Sequence, residues 1–437
     1  MNKGILTSLA LLLVFIFTIG FKLIINKHDL NQLNYTKALD IKSRQPPGVI
    51  VDYSRHSSGI YLGSPSIVII DEGVYLAKCE ETGHRSTRAE SGKTRIYKSI
   101  DAGRTWSKIS TVDGLYWANI FRHNNAVYMI GTDKVYGNAV IVKSVDKGIT
   151  WSKPNDRKTG LLFDGMYHTA AVPIVIHDGR IWRSMEKVLP GVRWGANFQT
   201  FVMSAPVDSD LLNCESWKKT NILAGDSAWL DGRFGGWLEG NVVVNPGGEI
   251  VNILRVQFGT KQNPFSNTWS EYEGFGKAAI VKIKDENTAL FNPEKDFIEF
   301  PGGLAKFSIR WDTLSEYYWS ITNYVPPVHR NSKKNSERIR NTLTLIRSKN
   351  LRSWEIRDIT LYESDPLSYG FQYADWCIEG EDIIFVSRTF YPDSSVSDDS
   401  QFTIDRAHDA NYITFHRIKN FREIYNFDQK PWSKVSD

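Results

Sequence analysis

The feature that most restricts the fold is a short repeat. Ser99-Ile-Asp-Ala-Gly-Arg-Thr-Trp106 and Ser144-Val-Asp-Lys-Gly-Ile-Thr-Trp151 share the pattern S-x-D-x-G-x-T-W, 45 residues apart. A degenerate third copy runs from Ser348 to Trp354. Each full copy follows an apolar run that ends in Lys-Ser. The chemistry of the pattern is local. The Asp carboxylate accepts turn N–H groups, the Gly permits a positive φ, and the Trp packs between neighbouring sheets. A fixed period of this length marks a repeat architecture built from one supersecondary unit. From Pro47 onward the chain is a series of short β-branched and aromatic runs, such as 66–78, 126–132, 138–144, 170–185, 241–256 and 382–390. Asp-Gly, Gly-Gly and Asn-Asn turns separate them, and several read as hairpins. No long segment keeps a helical period. The chain reads as all-β.

The repeat resembles the Asp-box of sialidase-like β-propellers, which marks blade edges rather than an active site. Residues 47–437 then form one propeller domain. At roughly 45–60 residues per blade the length gives six to eight blades. Seven is the favoured count and six is possible. Radial repetition leaves only short, protected sheet edges.

Residues 1–3 are Met-Asn-Lys, and Gly4 to Phe21 run without a charge up to Lys22. A basic start followed by such a run is an export signal, and its length approaches that of a membrane-spanning helix. The segment 1–26 is therefore a signal peptide or a hydrophobic helical anchor, with residues 4–21 as a membrane tether. Residues 27–46 are a polar linker. The expectation is an exported protein, periplasmic or at the cell surface. The formal net charge is +4, from 53 basic and 49 acidic residues, which argues against a nucleic-acid partner. Three distant cysteines, Cys79, Cys214 and Cys377, form no metal or redox motif and read as buried small side chains. No HExxH, EF-hand or phosphate-loop pattern is present, so no cofactor is expected. The acidic run 393–400 reads as a solvated loop, with a structural calcium as the other reading.

Several further segments resemble a family of secreted bacterial propellers: SSGIYLGSPSIVI (57–69), WANIFRHNNAVYMIGT (117–132), YHTAAVPIVIHDGRIWR (167–183), GWLEGNVVV (236–244), FPGGLAKFSIRWD (300–312), FQYADW (371–376) and HDANYITFHRIKNFR (408–422). That family holds α-L-rhamnosidases acting on rhamnose–glucuronate, and it is related to ulvan and arabinogalactan polysaccharide lyases. The resemblance implies a carbohydrate-active enzyme cleaving a uronic-acid and rhamnose-containing polysaccharide, by β-elimination first and glycoside hydrolysis second. A tethered glycan-binding propeller and an exo-sialidase are the alternatives. Three histidines of the family pattern are replaced here. Tyr53 stands at one position, Lys78-Cys79-Glu80 replaces Ser-His-Asp, and Leu304 stands in the Phe-Pro-Gly-Gly segment.

A uronate lyase needs a group that neutralises the carboxylate, a base for the α-proton and an acid for the leaving oxygen. Tyr136, Tyr167 and His168 stand at strand entries, and Arg183 ends the hairpin after His168. These four are the catalytic candidates. Glu239 with Trp237, Arg255, Gln372, Tyr373 and Arg388 are the substrate-binding candidates, with an acidic polysaccharide or oligosaccharide as partner. Each has a structural reading beside it, as a capping aromatic, a turn residue or an inter-blade brace. Asp375 and the His408-Asp409 pair invite the same two readings. Sialidases place three arginines on the substrate carboxylate and use a Tyr–Glu nucleophile pair with an Asp acid. Their usual first-strand Arg-Ile-Pro or Arg-Leu-Pro motif is absent here.

Overall fold

The structure, a computed structural model, describes residues 45–191, 193–259, 276–330, 336–393 and 407–431. The chain divides into two units, and residues 46–391 with 395–437 form the propeller. The other unit, 1–45 with 392–394, lies almost wholly outside the described residues. So do the expected export segment, the linker and nearly all of the 393–400 run. Among the described residues no helix is long and apolar enough to cross a membrane. All three cysteines are free, two of them buried.

Six antiparallel sheets make the ring. Their innermost strands begin at Tyr61, Tyr116, Tyr167, Phe234, Ser308 and Gly370, which defines blades 1 to 6. Six is the low end of the expected range, and the favoured seven is corrected. The 45-residue spacing of the two boxes belongs to the compact early blades. Later blades carry longer connections, and Phe234 and Ser308 are 74 residues apart. The first described strand, Val49–Tyr53, forms the outer edge of blade 6 by pairing with Tyr412–Ile418, so two strands far apart in sequence close the ring together. Apolar clusters fill the wedges between consecutive blades.

The boxes are built as the sequence implies. Asp101 accepts the Thr105 N–H at 2.9 Å and the Thr105 hydroxyl at 2.6 Å, while Ser99 Oγ accepts the Gly103 N–H at 2.9 Å. Gly103 and Gly148 take φ of 86° and 93°. Leu351 holds the same place in the third copy at φ 64°. Trp151 Nε1 donates to Gly148 O and to Ser110 Oγ of blade 1, which ties two blades.

A second repeat lies on the inner strands. In blades 1, 2, 4 and 6 a β-bulge sets two residues opposite one. The first bulge residue has a positive φ although it is not glycine: Ser64 35°, Trp117 50°, Glu239 57° and Tyr373 56°. The second is Pro65, Ala118, Gly240 or Ala374. A Cβ on Gly240 would come within 2.3 Å of Ser184 Oγ and Asn252 Oδ1, so this position admits no side chain. The third is polar and reaches the next blade. Ser66 Oγ accepts the Ile120 N–H, Asn241 Oδ1 that of Ile309, and Asp375 Oδ2 that of Ile67. Asn119 is the exception, with no partner for Oδ1 among the described residues. The inner strand of blade 3 breaks between His168 and Val175, which removes the ladder segment that would otherwise face Asn119.

Candidate functional site

A bulge residue in the left-handed region turns its side chain out of the strand's alternation, toward one mouth of the central channel. A cavity of about 320 Å³ lies there. Its wall includes Ser64, Trp117, Ala170, Glu239 and Tyr373, one residue from each of five blades. The remaining blade has Lys306 at the corresponding place, two residues before Ser308, and this side chain is buried beneath the mouth. The wall is heavily charged. Arg88, Arg338, Arg340 and Arg388 face it together with Glu80, Glu239 and Glu337. Its other side is aromatic, with Tyr116, Trp117 and Trp194. The opposite end of the channel opens into a larger cavity of about 1040 Å³. Its floor is mainly aliphatic, with residues such as Ile67, Ile120, Val243 and Ile309, and it offers little acid–base chemistry.

The charges at the narrow mouth form one network. Arg255 Nη1 donates to Glu239 Oε2 at 2.8 Å, and its other terminal nitrogen bonds Glu337. Burial disfavours the Arg255 cation, but Glu239 and Glu337 outweigh this and raise its pKa. Burial likewise opposes the Glu337 charge, and Arg255, Arg340 and Arg338 overcome it, so this carboxyl sits below its ordinary range. Arg340 donates to the Glu337 carbonyl and to Gln372 Oε1, and burial pushes it down to about 10. Arg340 and Arg388 lie 5.1 Å and 5.3 Å from the Tyr373 ring centre. His408 is held well below its ordinary value by desolvation and then by Arg388 and Arg340, so its ring is neutral at physiological pH. Glu80 sits 3.2 Å from the buried Lys78 ammonium. Two polar atoms at the mouth, Gln257 Oε1 and Arg388 Nε, are buried with no hydrogen-bond partner among the described residues. Such groups normally find one, and a bound ligand would supply it.

The sequence candidates separate cleanly. Glu239, Tyr373 and Arg388 line the mouth. Arg255 and Gln372 lie directly behind it, holding Glu239 and Arg340. The proposed base–acid–clamp set does not assemble there. Tyr167 packs in an apolar cluster against Phe163 and Phe201. Tyr136 packs edge-on against Trp117 and Phe198 and does not line the mouth. Arg183 is fully buried on Thr169 Oγ1 and the Ala170 carbonyl, because it lies within blade 3's long hairpin strand. His168 bonds Glu186 at 2.8 Å and is covered by Trp117, Trp194 and Phe198. Trp237 is wholly buried among Trp229, Phe234 and Phe291. Asp375 is an inter-blade brace, bonded to Ser66, the Ile67 N–H and Arg310.

Sequence reasoning missed Arg88, Arg338, Arg340, Glu337, Trp194 and Gln257. The signal for three of them was the dense Ser-Glu-Arg-Ile-Arg run (336–340) just before an apolar strand. Glu80 stands out in the sequence only as part of the Lys-Cys-Glu segment that replaces Ser-His-Asp.

No family model matches this chain, and no curated protein matches it. Solved structures do. One is a protein of unknown function from Dyadobacter fermentans, with TM-score 0.53 and 11% identity over 86% of this chain and 98% of that one. A second is the α-L-arabinofuranosidase Arb93A of Fusarium graminearum in complex with an iminosugar inhibitor, with the same score, identity and coverage. A third is the Trypanosoma rangeli sialidase in complex with sialic acid, with TM-score 0.51 and 14% identity over 87% of this chain and 58% of that one. At these identities the likeness is one of fold, and the fold is that of the sialidase-like propellers.

Proposed function

We propose that this chain is a glycan-cleaving enzyme that seats an anionic sugar at the narrow channel mouth and hydrolyses the adjoining glycosidic bond. The observation that carries this is the meeting, in one cavity of about 320 Å³, of four arginines with Glu80, Glu239, Glu337 and Tyr373. That volume is at the small end for ligand pockets and suits one or two sugar rings better than a long chain. The arginines supply planar, paired donors for a carboxylate. Tyr373 and Glu239 occupy equivalent bulge positions, and Arg255, which bonds Glu239, is itself within electrostatic reach of Tyr373. A tyrosine nucleophile is the sialidase departure from the usual carboxylate pair. In this reading the Tyr373 oxygen bonds the anomeric carbon as the glycosidic C–O bond breaks. The phenol proton passes to Glu239, and the leaving oxygen is protonated through Glu80, which draws the proton from the Lys78 ammonium 3.2 Å away. Water then attacks the anomeric carbon, its proton returning through Glu80 to Lys78, while Glu239 gives its proton back to the released tyrosine oxygen. The two carbohydrate-processing neighbours of the same fold agree with a glycan substrate.

Rhamnose–glucuronate oligomers and a terminal sialoside make the first substrate panel. New reducing ends, lost by about 10²-fold or more in Glu239→Gln and Tyr373→Phe, are the expected result. An unsaturated uronate absorbance in their place would move the reaction to β-elimination. Binding without turnover of any anionic glycan would overturn the enzyme reading and leave a glycan-binding propeller. Export through residues 1–21 belongs to the same proposal, because such glycans lie outside the cell.

A further inference from the structure

The bulge at Tyr373 creates a local deficit. Gln372 pairs with Arg388 and Asp375 with Val386, so Tyr373 and Ala374 together face the single residue Ser387. The extra residue of a bulge is left out of the regular ladder. The Ala374 carbonyl instead receives the Lys306 ammonium from blade 5, at 2.8 Å. Lys306 is 1% exposed, and its Nζ also donates to Ser308 Oγ at 2.7 Å. Among the described residues no carboxylate lies within salt-bridge distance of it, although the charges of Asp375 and Glu239 reach it, as do those of Arg310 and Lys78. A buried lysine with only neutral oxygens as partners is costly. A neutral amide could serve the same carbonyl, so a purely structural need does not explain a cation here.

We propose that Lys306 is a positioning residue of the mouth, whose ammonium clamps the Ala374 carbonyl and so fixes where the left-handed Tyr373 stands relative to Glu239. This rests on the reading of Tyr373 and Glu239 given above. Lys306 occupies in blade 5 the place that Glu239 and Tyr373 occupy in blades 4 and 6. It serves the site from beneath while its two counterparts face the substrate. Burial pushes its pKa down to about 8, in keeping with a charge held in a site short of counter-ions.

The test compares the full chain with Lys306→Met and Lys306→Gln on whichever anionic oligosaccharide the wild type cleaves. Lys306→Met removes the donor, and Lys306→Gln keeps a neutral one. The expected result is a loss of about 10²-fold in kcat for Lys306→Met with KM within a few-fold, the cost of a small misplacement of a reacting group. Lys306→Gln should recover part of the loss. Equal kcat in Lys306→Met and wild type overturns the proposal, as does an equal loss in both variants with KM rising alongside. If the wild type cleaves nothing, the functional reading fails first. A crystal structure of Lys306→Met then decides about Lys306 alone. A shifted Tyr373 backbone supports the clamp, and an unmoved one refutes it.

Discussion

Asn241 illustrates how single polar side chains join the blades. Its amide donates to the Phe307 carbonyl at 3.1 Å and accepts from the Ile309 N–H at 3.0 Å, both in the next sheet. Replacing it with Leu strands two buried backbone groups, each worth about 1–3 kcal/mol. Asn241→Leu should therefore lower the unfolding free energy by about 2–6 kcal/mol, read by denaturant titration. Lys306 makes a second prediction at this scale. Its folded pKa of about 8 lies below its ordinary 10.5. Between those values the unfolded chain binds more protons, so stability rises with pH through that window, by up to roughly 3 kcal/mol. The difference in stability between wild type and Lys306→Met should grow in favour of wild type from pH 8 to 10.5. A flat difference would place the Lys306 pKa outside that range. Residue faces were the hardest thing to read from sequence. Strict alternation puts Trp237 and Glu239 on one face, yet the left-handed Glu239 breaks the period, and Trp237 stays in the core while Glu239 reaches the mouth.

Strands and turns were far more legible than faces, because their signals are local. The Asp-boxes declared themselves through composition and spacing, and their bonds follow from it. Asp101 and Asp146 are both held down to about 2, chiefly by the Thr105 and Thr150 hydroxyls. A carboxyl with a lowered folded pKa stabilises above its unfolded value near 3.8 and loses that contribution as the pH falls through about 2. The Asp101→Ala, Asp146→Ala double variant should thus melt below wild type at neutral pH, with the gap closing between pH 4 and 2. Both carboxylates lie at the solvent surface, so the effect is a modest one. The bulges were equally written in the chain, as Gly-Ser-Pro-Ser, Tyr-Trp-Ala-Asn, Leu-Glu-Gly-Asn and Gln-Tyr-Ala-Asp. Their common form is a variable residue, then a small residue or proline, then Ser, Asn or Asp. It went unrecognised because the variable position is where the site differs from blade to blade. The arginines at 338 and 340 belong to no such repeat, and only the closed ring brings them to Glu239.

At the scale of the ring, the blade count depends on connections whose lengths carry little physical constraint, which is why box spacing alone overestimated it. Loop length costs little free energy, so blades 3 to 5 could lengthen without disturbing their sheets. Closure is constrained more tightly. Val51 is buried in the cluster between blade 6 and blade 1, and the backbone of Val49–Tyr53 completes the last sheet. Deleting residues 46–53 should leave Tyr412–Ile418 as an exposed edge, with a large fall in melting temperature and concentration-dependent association by light scattering. Unchanged melting would mean that the ring is held shut by side-chain packing alone.

That seam also sets an order of events during synthesis. The strand at 49–53 leaves the ribosome early, and its partner at 412–418 emerges more than 350 residues later. At about 5–20 residues per second the wait is roughly 20–70 s. Throughout it the nascent chain carries a β-strand with no native place to go. A chaperone or holding factor that shields the leading segment would raise the yield of folded protein, whereas faster elongation would shorten the exposure.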